Sequence, residues 1–297
     1  MFHLIKKICD ITHENTLFAI FISVIEVKKQ DVRKISYLCR DIFKSMEFYD
    51  QLEQILSSMP RLNLEQSGKV RLMDRVDRKY LANKKLLLQY LNMEKDSYYL
   101  LVAGDSPVAS YATTYWDTAD HHFYTMHHNG ARPRVKVRVR TYVDTATSFL
   151  EVKNKDNHSM TRKSRVRLAN PEDVNSDDEE FLEDKADVRL DEIHPCLTNS
   201  FHRVTLVSRK MNERITLDFD LKFHNIETNT DTSLGSLVIM EVKSSGKRSS
   251  DSIDVLRELR IKASGFSKYC IGTYLTNPDV KHNKFKENMI KISRLEI

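Results

Sequence analysis

The chain has 297 residues, of which 40% are hydrophobic and 30% are charged, a composition typical of a folded globular protein and not of a disordered one. Its seven glycines are too scattered for the glycine-rich loops that bind phosphate in dinucleotide-binding and Walker-type proteins. The net charge is +5, but residues 172–192 carry −9, so the rest carries +14. This basic body predicts an anionic partner bound by side chains.

The cysteines and the longest apolar run bear on the compartment. The four cysteines form no CxxC pair, so neither a zinc knuckle nor a disulfide framework is expected. The run from Leu17 to Ile25 is nine residues long, about half of the ~20 residues that a membrane span needs. No small-residue cleavage site follows it, which argues against a signal peptide. We therefore expect a cytoplasmic protein without an integral membrane segment.

The elements change character along the chain. Residues 1–45 are interpreted as a helical extension, peripheral to a domain of residues 46–297. Apolar spacing predicts helices over 31–45, 47–59 and 83–93. From residue 111 a period of two predicts strands over 111–116, 121–127, 134–143, 147–154, 162–168, 201–208, 213–221 and 237–244, with an earlier one over 70–80. An acidic insert at 170–199, partly helical around 179–190, interrupts this series, and helices are predicted over 250–261 and 267–275.

The predicted strands alternate charged and apolar side chains. In residues 134–142 the basic side chains occupy even positions and valines the odd ones, so each set lies on one face of the strand. In residues 213–221 the same rule places Arg214, Thr216, Asp218 and Asp220 on one face. Such alternation is typical of an ordinary sheet with one solvated face. Several basic faces in one chain instead favour a sheet that closes around a charged lumen, which a bound polyanion would stabilise.

Eight motifs resemble, in order, a known family, the VTC-type polyphosphate polymerase domain of the triphosphate tunnel metalloenzyme (CYTH-like) superfamily. They are DRVDRKYL (74–81), TTYWDT (113–118), KVRVRTY (136–142), FLEVKNK (149–155), HRVTLVSR (202–209), ERITLDFDL (213–221), IMEVKSS (239–245) and FSKYCIG (266–272). The resemblance implies an α+β fold, an eight-stranded antiparallel β-barrel (tunnel) with a charged lumen, covered by helices. It also implies an enzyme that transfers the γ-phosphate of ATP onto a polyphosphate chain.

The resemblance assigns roles to particular residues. The implied phosphate ligands are Lys79, Arg138, Arg140, Lys153, Lys155, Arg203, Arg214, Lys243, Ser267 and Lys268. Arg138, Arg140, Lys153 and Glu241 are the implied catalytic residues. Glu241 is also the implied ligand of the metal cofactor, Mn²⁺ or Mg²⁺. The implied partners are ATP and polyphosphate or triphosphate, and not nucleic acid; the oligomeric state is left open.

Several alternatives stay open at the level of sequence. The superfamily pattern ExExK is replaced here by Arg75, Asp77 and Lys79, which argues for a polymerase over a triphosphatase. A triphosphatase in the same tunnel and a non-catalytic polyphosphate-binding module both remain. Asp218 and Asp220 either assist the metal or neutralise nearby cations. Other side chains are expected to be structural: Asp117 in a turn, and His121, His122, His127 and His128 at the surface or rim.

Overall fold

The structure is a computed structural model. It describes residues 32–68, 75–102, 104, 106–157, 161–245 and 250–295. Residues 1–31 of the expected N-terminal extension therefore lie outside the described residues, as do residues 70–74 of the strand expected over 70–80. The chain divides into two compact units, Met1–Glu53 and Gln54–Ile297, and the candidate site lies in the larger one.

The helices are α1 (Val32–Ser58), α2 (Leu64–Ser67), α3 (Lys84–Glu94), α4 (His122–Asn129), α5 (Glu179–Ala186), α6 (Asp251–Glu258), α7 (Lys268–Thr276) and α8 (Lys286–Leu295). The strands are β1 (Arg61–Asn63), β2 (Arg75–Asn83), β3 (Tyr98–Val102), β4 (Ala109–Thr118), β5 (Arg134–Tyr142), β6 (Thr147–Lys155), β7 (Thr161–Leu168), β8 (Ile193–Ser208), β9 (Glu213–Asn225), β10 (Thr230–Leu234) and β11 (Leu237–Ser245). No described helix is both long enough and apolar enough to span a bilayer.

Eight of these strands form one continuous path, in the order β2-β11-β9-β8-β4-β5-β6-β7. Every neighbouring pair along it is antiparallel, while β1, β3 and β10 pair off this path. The α+β class with an antiparallel sheet and covering helices is confirmed. The end strands β2 and β7 share no ladder among the described residues, so hydrogen bonds do not close the sheet into a full barrel.

Two apolar clusters place the charged face between them. One cluster covers the outer face of β5 and β6, where Val137 and Val152 pack with Leu182 and Ala186 of α5. The other surrounds α7, and includes Leu197, Phe223, Ile239, Tyr269 and Ile271. Burial of these side chains removes apolar surface from water and stabilises the curved sheet. Helix α7 is thereby held inside the fold, with its first turn directed at the charged strand positions described below.

The strand expected over 121–127 is wrong, because this segment is helix α4. The carboxylate of Asp117 accepts hydrogen bonds from the backbone N–H groups of Phe123 and Tyr124, at 2.8 and 2.9 Å. These are among the N–H groups that the first turn of a helix leaves without an intrahelical partner. Asp117 also accepts from Thr118 N–H at 2.8 Å, so its expected role in ordering a turn is confirmed.

The face expected for Asp220 is also wrong. The β8–β9 register shifts between Ser200 and His202, and Asp220 adopts a positive φ of 54°, as one residue of a β-bulge does. A bulge inverts the alternation of side chains beyond it. Arg214, Thr216 and Asp218 therefore share one face, whereas Asp220 pairs with Lys84 of α3 at 2.6 Å.

Two further boundaries differ from the predicted elements, and some elements lie outside the predictions. Helix α1 runs through residue 46, joining the two helices expected on either side of it. Strand β8 begins at Ile193, inside the segment expected to be an acidic insert, because residues 193–203 pair with β4. Strands β3 and β10 and helix α8 were not predicted; β10, with the sequence TDTSL, carries little of the apolar alternation on which strand prediction depends.

Candidate phosphate-binding site

The ladder register collects the basic positions on one face of the sheet, here called the lumen face. Lys136 of β5 lies directly opposite Lys153 of β6, which in turn lies opposite Lys163 of β7. At the other end of the strand order, Lys79 of β2 lies opposite Glu241 of β11. Like charges directly opposite each other in a sheet are destabilising. Binding of an anion beside the row of three lysines would therefore stabilise this part of the sheet.

Glu151 is the centre of the first charged cluster. It is 1% exposed, and its Oε2 accepts hydrogen bonds from Arg138 Nε at 2.9 Å and Nη2 at 2.6 Å. Its Oε1 accepts from Lys163 Nζ at 2.5 Å. Burial alone would raise the pKa of Glu151, but Arg138, Arg140 and Lys163 lower it to about 2. The carboxylate is therefore ionised and fixes Arg138 in place.

Asp218 is the centre of a second cluster. Arg203 Nε and Nη2 donate to its two oxygens at 2.5 and 2.8 Å, and Lys268 Nζ forms a short ion pair with Oδ2. The pKa of Asp218 lies well below its usual range, because these two cations outweigh the effect of burial. Of the two roles left open for Asp218, this geometry corresponds to neutralisation of cations.

Glu241 lies in the third cluster, with Lys243 at 3.2 Å from its Oε2 and Asp77 on the far side of Lys243 at 3.9 Å. Burial would raise the pKa of Glu241, but Lys243, Lys79 and Lys153 lower it to about 2. No described group of three His, Cys, Asp or Glu side chains could hold a metal by itself. This donor set fits a hard divalent cation that takes most of its ligands from phosphate and water.

The first turn of α7 connects opposite sides of the lumen face. Lys79 Nζ donates to the Phe266 carbonyl at 2.8 Å, and Lys136 Nζ donates to Ser267 Oγ at 2.9 Å. Ser267 also caps α7 by accepting from Cys270 N–H at 3.3 Å. Strands β2 and β5 are far apart along the sheet path, so the contact of both with adjacent residues shows that the sheet curves around this point.

Three lumen lysines have strongly lowered pKa values. Burial, together with Lys79 and Lys153, lowers the pKa of Lys136 to about 7. Burial and Arg203 lower the pKa of Lys268 to about 7, against the effect of Asp218. Partial desolvation in the lumen, together with Lys79 and Arg138, lowers the pKa of Lys153 to about 8, although its side chain is still accessible to water. These lysines lose their charge near neutral pH unless an anion binds.

The remaining expected ligands lie around these clusters. Arg140 is 8% exposed, its Nε lies 3.4 Å from Thr113 Oγ1, and burial and Arg138 lower its pKa to about 10. Arg214 lies opposite Lys243 and donates to the Ser67 carbonyl at 3.1 Å. Lys155 is at the end of β6 opposite Arg134, and its pKa is lowered by burial and by Arg134 and Arg132.

Sequence reasoning missed Lys136, Glu151 and Lys163 as site residues. All three share the alternating face of expected ligands, and this shared parity was a signal that could have identified them. The expectation that four histidines lie at the surface or rim is wrong for His128, which is 6% exposed. His127 is half-buried, and burial with Lys136 and Arg134 lowers its pKa to about 2.

The model of the VTC domain family matches residues 74–277. No curated protein matches the chain significantly. Among solved structures, a candidate adenylate cyclase from Bacillus halodurans is 13% identical with a TM-score of 0.44, over 66% of this chain and 96% of that chain. HpAC1 from Hippeastrum, described as having a dominant triphosphatase activity, is 14% identical with a TM-score of 0.42, over 70% and 99%. The PH1012 protein from Pyrococcus horikoshii is 11% identical with a TM-score of 0.38, over 66% and 98%. Such low scores carry no inference about activity.

Proposed function

The chain belongs to the VTC domain family, and from this premise we propose that it is a metal-dependent polymerase that transfers the γ-phosphate of ATP onto a polyphosphate chain. The ligands assigned to phosphate are the ten named above, and Glu241 is assigned to Mn²⁺ or Mg²⁺. Residues 46–297 would form the catalytic domain.

One observation supports this proposal most strongly: the lysines at 136, 153 and 163 lie directly opposite one another on three adjacent strands. Like charges directly opposite one another in a sheet repel. Glu151, the one carboxylate on these three strands, is already shared between Arg138 and Lys163. A linear polyanion running along the lumen face would offset this repulsion, which is the chemistry that a triphosphate or polyphosphate supplies.

The side chains have distinct tasks in such a transfer. Phosphoryl transfer depends mainly on positioning and on stabilising charge on the equatorial oxygens. Arg138 and Arg203 are each fixed by a carboxylate, so their planar donor groups are oriented before the substrate arrives. Lys79, Lys136 and Lys268 hold charge around the first turn of α7. A divalent cation on Glu241 would neutralise the charge that develops on the bridging phosphate oxygens.

The carboxylates favour a polymerase over a triphosphatase. Hydrolysis needs an attacking water, which a general base usually activates. The carboxylates of Glu151 and Asp218 are each bound by two cations, and that of Glu241 has a pKa of about 2, so each is a weak base. The end of a polyphosphate chain is already ionised and needs no base. A triphosphatase remains the second candidate, because the same cations would bind its substrate.

The test is to incubate the protein with ATP and Mn²⁺ or Mg²⁺, to separate the products on a polyphosphate-stained gel, and to measure free phosphate and ADP. The proposal expects a ladder of chains with ADP and little free phosphate. Free phosphate without chains would assign the protein to the triphosphatases. Tight tripolyphosphate binding without either product would leave a binding module. In the variant Glu241→Gln, which lacks the assigned metal ligand, both products should be lost. Asp254→Asn, in an exposed ion pair on α6, is the matched control for loss of a carboxylate.

A further inference from the structure

Two aromatic rings lie among the phosphate-binding cations. The rings of Tyr111 on β4 and Phe201 on β8 stack with centroids 5.1 Å apart and planes 2° apart. Phe201 is only 2% exposed. The register places Tyr111 and Phe201 directly opposite each other, so the sheet itself aligns the two rings.

Three cations surround this pair. Lys268 Nζ lies 4.1 Å from the centroid of the Phe201 ring. Arg203 Cζ lies 5.0 Å from the Tyr111 centroid and 5.3 Å from that of Phe201, and Arg140 Cζ lies 5.7 and 6.0 Å from the same two rings. All five distances fall within the ~6 Å at which a ring face attracts a cation. Rings thus take part in holding the three cations.

The alternative partner, a second carboxylate, would act differently on a phosphate ligand. Asp218 already pairs with Arg203 and Lys268, and a further carboxylate would complete their neutralisation and repel phosphate. A ring attracts cations through its quadrupole but carries no net charge. It therefore lowers the cost of crowding cations while the site stays net positive.

The β-bulge described above lies at this point. The β8–β9 register shifts between Ser200 and His202, which leaves Phe201 opposite the bulge that contains Asp220. Bulges re-aim side chains next to functional sites. Beyond the bulge the inward positions of β9 carry Leu221 and Phe223 of the apolar cluster around α7. Phe201 therefore marks the boundary between the charged and the apolar parts of the interior.

We propose that Phe201 and Tyr111 are positioning residues. Their uncharged ring faces hold Arg140, Arg203 and Lys268 together, so that the three cations can bind phosphate. This inference deepens the proposed function and rests on it. The rings do not touch the reacting atoms; they act through the three cations. A ring in either position should therefore matter more for ligand affinity than its volume alone would explain.

The test measures binding of tripolyphosphate by calorimetry in the absence of metal. Phe201→Leu and Tyr111→Leu remove a ring and keep an apolar side chain, whereas Phe201→Tyr and Tyr111→Phe keep the ring. The leucine variants should bind about tenfold more weakly, and the conservative variants should bind within about threefold of the wild type. Tyr99→Leu is the matched control, since its ring lies under Arg209 at 5.5 Å on β3, off the eight-strand path.

The dependence of binding on pH separates positioning from packing. Lys268 faces Asp218, Arg203 and Arg140, and loss of the ring removes an interaction that favours its charged form. The decline in affinity with rising pH should therefore move to lower pH in Phe201→Leu, by about half a unit or more. Loss of packing alone would lower the melting temperature without this shift.

Three results would overturn the inference. Leucine variants that bind as tightly as the wild type would overturn it alone. Equal losses of affinity in the leucine and the conservative variants, without a shift in the pH profile, would show that the rings contribute only packing. A wild-type protein that does not bind tripolyphosphate at all would overturn the proposed function as well.

Discussion

Lys136 Nζ and Ser267 Oγ form a hydrogen bond of 2.9 Å between groups 131 residues apart in the chain. With the neighbouring bond from Lys79 to the Phe266 carbonyl, it ties the first turn of α7 to both sides of the lumen face. Both ammonium groups thus have a protein acceptor in the free protein. A phosphate that enters the lumen would exchange for these acceptors, and the predictions below depend on that competition.

Tripolyphosphate affinity should fall as pH rises from about 6 to 9. The pKa values of Lys136 and Lys268 are about 7, so both are charged below this range and neutral above it. The ionisation of the ligand has the opposite effect, because the ligand becomes more negative with pH. Calorimetry across this range measures the slope. Lys268→Arg should flatten it, because arginine stays charged; a wild-type affinity that rises with pH would contradict the prediction.

Glu151→Gln should destabilise the protein by about 3–5 kcal/mol, because it leaves Arg138 and Lys163 without their shared buried carboxylate. Urea denaturation measures this change, and tripolyphosphate should restore part of the loss by binding only the folded state. The control is Asp254→Asn, whose partner Arg257 is exposed, with an expected cost of about 0–1 kcal/mol. Equal costs in the two variants would refute the buried-pair argument.

The wild-type protein should lose stability on acidification. The pKa of Glu151 is about 2 in the folded state, below its ordinary value of 4.5, and that of Asp218 is also lowered. A carboxylate with a lowered folded pKa contributes stability above its unfolded pKa and loses it as pH falls through the folded pKa. Urea midpoints should therefore decrease from about pH 5 to pH 2, with a smaller decrease in Glu151→Gln. Identical profiles would show that Glu151 does not contribute.

Glu241→Gln should lower the rate of ATP turnover at least about 100-fold and should preserve the binding of tripolyphosphate in the absence of metal. The carboxylate is ionised at all working pH values, because its pKa is about 2, so its loss removes a full charge beside Lys243. Metal-free binding should stay equal or become tighter, whereas the stimulation by Mn²⁺ should disappear. Turnover that is unchanged in this variant would remove Glu241 from the mechanism.

Gly272→Ala should destabilise the protein by about 1–3 kcal/mol through overpacking. A Cβ at this position of α7 would lie 2.5 Å from Phe223 Cδ1 and 2.7 Å from Leu197 Cδ2. Displacement of α7 would also weaken phosphate binding, because Lys268 lies on its first turn. The control is Gly265→Ala, where an added Cβ meets nothing within 4 Å. Thermal unfolding compares the two; a neutral Gly272→Ala would show that the core around α7 relaxes freely.

Local patterns were sufficient for most strands. The two-residue period identified β5, β6, β7 and β9 within a few residues of their observed bounds, because each has one apolar face and one charged face. The same rule failed at Asp220, where a bulge that depends on pairing with β8 shifts the parity. It also failed at α4, since the carboxylate of Asp117 caps that segment as a helix.

The sequence by itself determined the antiparallel α+β fold, the basic faces of the strands and the family. These follow from residue periodicity and motif order, which are properties of short segments. Only the tertiary structure decided which charges meet. The pairing of Arg203 with Asp218 and the sharing of Glu151 between Arg138 and Lys163 join neighbouring strands, and the cations around Phe201 come from β5, β8 and α7. Charge effects depend on distance and burial, and the curvature of the sheet sets both.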